Sequence, residues 1–247
     1  AFTHGDAEAA GRYFQRAGER VSSKLEARLL FAETVHTLND TEIDRFENLN
    51  DVSDYRDFFY GVWASRDPTP AAKVNFRLIT HVARLVQAEK EFAFDGFQGW
   101  YNNPDKLGYL EYPKAYRYND RFNDKGLILI RHGKPDDRVF TLNEVSQTNE
   151  SWRYWRRGEA PELVFHFVID QAASGNNWRL VAKIADPLMA RDRVDWGPEY
   201  REVARQSRLG QVEAAERIAR QSQEYVKVGL STDCLLYTSP SPRDRSL

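Results

Sequence analysis

The hydrophobic period of this chain changes once. Up to about residue 95, apolar side chains recur three and four positions apart, as one face of a helix requires; from residue 126 they alternate, as a half-buried strand requires. No helix-length segment separates the alternating runs, so the sheet they form is expected to be mainly antiparallel. The reading is an α+β chain: a helical segment, a small sheet, then a charged amphipathic helix.

The helical part divides as follows. Gly5, Ala10, Phe14 and Ala17 have the small–aromatic spacing of the second half of a tetratricopeptide repeat, and 1–50 reads as a helical, repeat-like segment. A helix over 23–38 is expected to turn Leu25, Leu29, Phe31, Ala32 and Val35 inward. Thr41 is expected to cap a third helix carrying Ile43, Phe46 and Leu49, and 54–65 makes a short aromatic one. In Arg66-Asp-Pro-Thr-Pro70, Thr69 is placed as an N-cap with Pro70 at the first helical position. The long helix that follows, 71–94, stripes Val74, Leu78, Val82, Leu85 and Val86, with His81 beside the stripe in no functional role.

Residues 97–122 are rich in Trp and Tyr, among them Trp100 and Tyr101, with nearly balanced charge. Such a loop can stack sugars or cover a sheet, and tyrosine and tryptophan bury large area while keeping a polar tip wet. Strands are expected over 127–131, 139–142, 152–155, 163–169 and 178–184, the last two joined as a hairpin through a turn-rich link; Asp186-Pro187 ends the sheet. A final helix over 199–225 carries Gly210 as a break.

The segment from Asp124 to Asp137 carries the chemistry-bearing residues. It reads as an entry turn at Gly126, a buried strand, then Arg131-His132 and a turn forced by Gly133 and Pro135. Asp124, Arg131, His132 and Asp136 are the candidate binding residues here, alongside Trp100 and Tyr101 in the aromatic loop. Asp136, Asp137 and His132 have the residue types of an acid–base or metal set. Carboxylates beside Gly and Pro more commonly form turns, so no metal and no cofactor is assigned. No Ser-His-Asp spacing, phosphate-cradling loop or HExxH helix is present.

Composition narrows the classes. The formal net charge is −2 with signs interspersed, which argues against a nucleic-acid footprint. No apolar run is long enough for a transmembrane segment. The only cysteine is Cys234, so disulfides and cysteine-ligated zinc have no place before it. The tail from Cys234 through Ser239-Pro-Ser-Pro-Arg-Asp244 reads as a translated sequencing adapter and is set aside from fold reasoning, leaving −3 for the rest. The chain begins at Ala1 inside a helical pattern, and both ends read as cut.

Three blocks resemble the GWxTD domain family of bacterial envelope and secreted proteins. They are Phe58 to Pro70, ending in Arg-Asp-Pro-Thr-Pro; Gly99-Trp100 together with Asp124-Lys-Gly126; and Ile128-Leu-Ile-Arg-His-Gly-Lys-Pro-Asp136. The resemblance spans about 50–190, although the threonine of the name motif is absent and its aspartate stands more than twenty residues beyond Trp100. It implies a 51–190 domain, an envelope, periplasmic or secreted location and no established reaction; a protein partner is expected from the repeat-like helical segment, which would present a concave surface. A rival resemblance rests on Arg131-His132-Gly133. Histidine phosphatases run a strand into Arg-His-Gly, with the histidine as phosphoryl acceptor and the arginine gripping phosphate; on that reading Arg131 and His132 are catalytic. That chemistry also needs a second histidine and a further arginine, and His166 lies within an alternating strand.

Overall fold

The computed structural model describes residues 6–94, 113–141, 148–155, 163–169 and 176–181, with individual positions between 202 and 217. Helices come first and a four-stranded antiparallel sheet follows, the α+β plan expected.

Helix α1 (Ala7–Arg20) is capped by Asp6, whose carboxylate accepts the Ala9 N–H. It packs on α4 (Val52–Ala64) and α5 (Phe76–Phe92). Ala10 and Phe14 turn inward as expected, but Ala17 is exposed; the small residues at the contact are Gly11 and Gly18. A Cβ at Gly11 would stand 2.7 Å from Ile79 Cγ1, so the helices meet there at glycine distance. Gly5 lies outside the described residues.

Helix α2 (Lys24–Thr34), capped by Ser23, runs into a 3₁₀ turn at Val35–Thr37. Its inner face is Ala27, Phe31 and Thr34, not the stripe expected: Leu25 and Leu29 are exposed, as is Ala32. Phe31 sets the orientation by stacking on Phe46, ring centroids 3.9 Å apart. Helix α3 (Asp40–Glu47) is capped two residues before Thr41, because Asn39 and Glu42 close a reciprocal capping box. Ile43 and Phe46 are buried as expected, and α4 buries Tyr55, Phe58, Phe59, Val62 and Trp63.

Arg66-Asp-Pro-Thr-Pro70 is a clamped turn. Arg66 is buried and grips Glu42 of α3 bidentately, at 2.7 and 2.6 Å. Asp67 accepts the Thr69 N–H at 2.9 Å, which commits Thr69 to the turn. Helix α5 therefore begins at Phe76, with Asn75 as its cap, and not at residue 71 behind Thr69 and Pro70. Val74, Leu78, Val82 and Leu85 are buried as expected, Val86 partly.

The largest departure is 127–131. The expected strand is part of helix α7 (Asp124–His132), which follows the short α6 (Lys114–Arg117). An apolar run of this length fits a buried strand or a buried helix equally, and the ends decide. Asn123 caps α7 by accepting the Gly126 N–H, and Gly133 closes it at φ 78° while donating to Leu129 O. Lys125 through His132 are all buried, so no polar face breaks the run.

The sheet thus begins at Asp137, not at residue 126. Strands β1 (Asp137–Thr141), β2 (Asn149–Tyr154), β3 (Leu163–Ile169) and β4 (Trp178–Val181) form a simple meander. Trp152 pairs with Phe165, and Phe167 lies between Glu150 and Leu180. Trp152, Tyr154, Leu163, Phe165, Phe167 and Leu180 share one core with α7 and the C-terminal half of α5. A second core joins α1–α4 with Leu78, Val82 and Ala115. Helix α5 therefore serves both. Near the C-terminus, Gly210 at φ 71° interrupts the helical positions, as expected.

Candidate functional site

Helix α7 and the turn after it bring the sequence candidates to one region but aim them differently. Asp124 stands in the first turn, where the helix N-terminus favours a carboxylate, and its Oδ2 accepts the Leu180 N–H at 2.6 Å. It ties α7 to β4. Burial pushes its carboxyl up to about 6, although the Leu180 bond and Arg179 pull the other way.

Arg131 is buried, and its Nη2 donates to Leu38 O at 2.8 Å, reaching toward the helical half. Its own carbonyl accepts from Arg84 at 3.2 Å and from Arg77 at 3.4 Å, two cations at the negative end of α7. His132, about 100° further round the helix, points to the sheet, with ring centroids 5.0 Å from Phe165 and 5.5 Å from Tyr154. Tyr154 Oη donates to Gly133 O at 2.8 Å. Glycine is required at 133 because its φ is positive; an added Cβ would also meet the end of the Arg84 side chain, which can move aside. Asp136 accepts the Trp155 N–H at 2.9 Å while its own N–H donates to Arg153 O, so it ties the turn after α7 to the end of β2. Trp100 and Tyr101 lie outside the described residues. Among those described, no cluster of three or more His, Cys, Asp or Glu side chains has a metal-holding arrangement.

Two polar groupings were not foreseen from the sequence. Lys125 Nζ donates to Glu150 Oε2 at 2.5 Å, and Glu150 Oε1 accepts from Arg138 Nε and Trp152 Nε1, each at 2.6 Å. The Lys125 ammonium lies 3.0 Å from the centroid of the Trp178 ring, a cation–π contact inside the core. Burial pulls Lys125 down to about 8, against the opposite pull of Glu150, so it remains charged at neutral pH. Burial works against the Glu150 carboxylate too, but Lys125, Trp152 and Arg138 together outweigh it and hold Glu150 below the usual range. The second grouping is Ser151 Oγ and His166 Nδ1, sharing a hydrogen bond of 2.8 Å across β2 and β3. Both residues are fully buried, so this pair has no route to substrate. The alternation of β2 put Glu150 and Ser151 on opposite faces, but only the strand register shows what each meets.

Comparison with known proteins returned no relative: no family model, curated protein or solved structure matches the chain.

Proposed function

We propose that this chain is a non-enzymatic interaction module of the GWxTD type, belonging to a bacterial envelope or secreted protein, whose helical segment meets a protein partner. One observation carries the reading: Arg131 and His132 point to different halves of the fold and are built into its packing. A phosphoryl-transfer pair needs a histidine and guanidinium groups converging on one phosphate. Here the guanidinium is engaged by Leu38 and the imidazole lies against Tyr154 and Phe165. The only other histidine on the sheet side of the described residues, His166, is bonded to Ser151. The helices, in turn, leave Tyr13, Leu25, Leu29 and Tyr60 exposed, the kind of side chain that contributes to protein contacts.

The test is hydrolysis of a generic phosphomonoester by the full chain and by His132→Asn. No turnover by either protein is the expected result. Turnover that the substitution abolishes would overturn the module reading in favour of the phosphatase one. Quenching of intrinsic fluorescence by oligosaccharides would instead favour the aromatic loop as a sugar site.

A further inference from the structure

Between α1, α4 and the turn leading into α5 lies a pocket of about 240 Å³. Phe14, Leu30 and Trp63 contribute its aromatic and aliphatic walls; Tyr60, Glu19, Asp67 and Lys73 also line it. We propose that this pocket receives an arginine side chain of the protein partner. The inference rests on the interaction-module reading and names its contact.

Three observations converge on that occupant. The size suits a single side chain, since sites for drug-sized ligands begin at roughly 300 Å³. The wall chemistry suits a cation, because aromatic faces attract one and arginine's planar guanidinium stacks on them. Charge agrees: Glu19 and Asp67 set two carboxylates against the one ammonium of Lys73, so the lining is net negative and complements a guanidinium. Tyr60 is 72% exposed, leaving an aromatic ring in water at this pocket. Trp63 lines the wall, so its indole N–H resonance reports on what enters the pocket. Glu19 already accepts from Gln15 Nε2 and Asp67 from the Thr69 N–H, yet each carboxylate keeps lone pairs that a guanidinium can fill and a purely apolar occupant cannot.

The experiment titrates the full ¹⁵N-labelled chain with N-acetyl-arginine-N-methylamide, using the Trp63 indole N–H resonance as reporter. The citrulline analogue, an uncharged isostere, is run alongside. Saturable shifts at millimolar concentration are expected with arginine, and binding about fivefold weaker with citrulline, the ratio one cation–π contact supplies. Glu19→Gln and Tyr60→Ala, both at exposed positions that do not support the core, should each weaken arginine binding about threefold or more. Equal binding of arginine and citrulline, or no loss in either variant, would overturn the proposal. Those results leave the module reading standing, whereas phosphomonoester turnover dependent on His132 would strike that reading and not the arginine titration.

Discussion

Glu150 accepts from three donors inside the sheet core, and its side chain and that of Lys125 are both more than nine-tenths buried. Such a pair contributes little net stability when whole and much instability when halved, because the surviving charge is left without its counter-charge in a low-dielectric interior. Glu150→Gln is therefore expected to cost about 3–5 kcal/mol, read as a shift of the urea midpoint at unchanged slope. Adding Lys125→Met, which removes the stranded ammonium while keeping a similar length, should recover part of that loss. A double variant as unstable as the sum of the two single ones would show that Lys125 and Glu150 do not act as a pair. Arg66 with Glu42 repeats the logic among the helices: the arginine of the Arg-Asp-Pro-Thr-Pro block holds the end of α4 onto α3.

Among the elements, α7 departs most from the expected conformation, and its caps and its packing agree on the helix. It passes between α5 and β4, and its contact with α5 is close enough to require glycine at 126. A Cβ there would stand 2.8 Å from that of Phe122 and 3.1 Å from that of Phe92, both attached to backbone that cannot swing away. Gly126→Ala is expected to destabilise by about 1–3 kcal/mol through overpacking, although alanine is the better helix former. Gly61, on the exposed side of α4, has nothing within 4 Å of an added Cβ. There the same substitution should stabilise by about 0.5–1 kcal/mol from helix propensity alone. Thermal denaturation of the two variants tests both signs; stabilisation at 126 would contradict the helix–helix contact described for α7.

For the whole molecule, buried histidines set the response to acid. His36 and His81 are fully buried; burial, with Arg121 and Arg131 nearby, drives His36 down to about 3. Burial takes His81 to about 3 as well, although its Nε2–H donates to Glu33 O. The unfolded chain protonates both near 6.5 while the folded chain does not, so stability is full above 6.5 and falls as pH drops toward 3. At pH 5 the loss is about 2 kcal/mol per histidine. Asp124 works the other way. Its folded value, about 6, lies above the unfolded one, so acidification through 6 returns about 1 kcal/mol by pH 5. A net loss of about 3 kcal/mol between pH 7.5 and 5 is expected from urea midpoints. His36→Leu should remove about half of the histidine share; an unchanged pH slope in that variant would refute the assignment.

How legible all this was depended on what each residue's neighbours had to supply. The aromatic face of α4, the stripe of α5 and the span of β3 were readable because a period over many residues states which side is buried. Two local signals misled. Leu25 and Leu29 read as core, yet the Phe31–Phe46 stack turned α2 so that they face solvent. Thr69 read as a cap, yet Asp67 had already taken its N–H. Of the candidate site, Asp124, Arg131, His132 and Asp136 fall in or beside α7, but where each side chain points was not legible, because that direction depends on whether the segment is strand, turn or helix.

The sequence by itself determined the order of helices then sheet and the antiparallel pairing, because hydrophobic period and connection length are local quantities carried by the chain. Tertiary structure alone decided which partner each buried charge meets, which half of the fold Arg131 and His132 each face, and where Tyr60 stands. The short apolar run 127–130 has no period of its own and takes its conformation from its local caps, Asn123 and Gly133, whereas the partner of a buried charge lies far along the chain and is met only when the surfaces close.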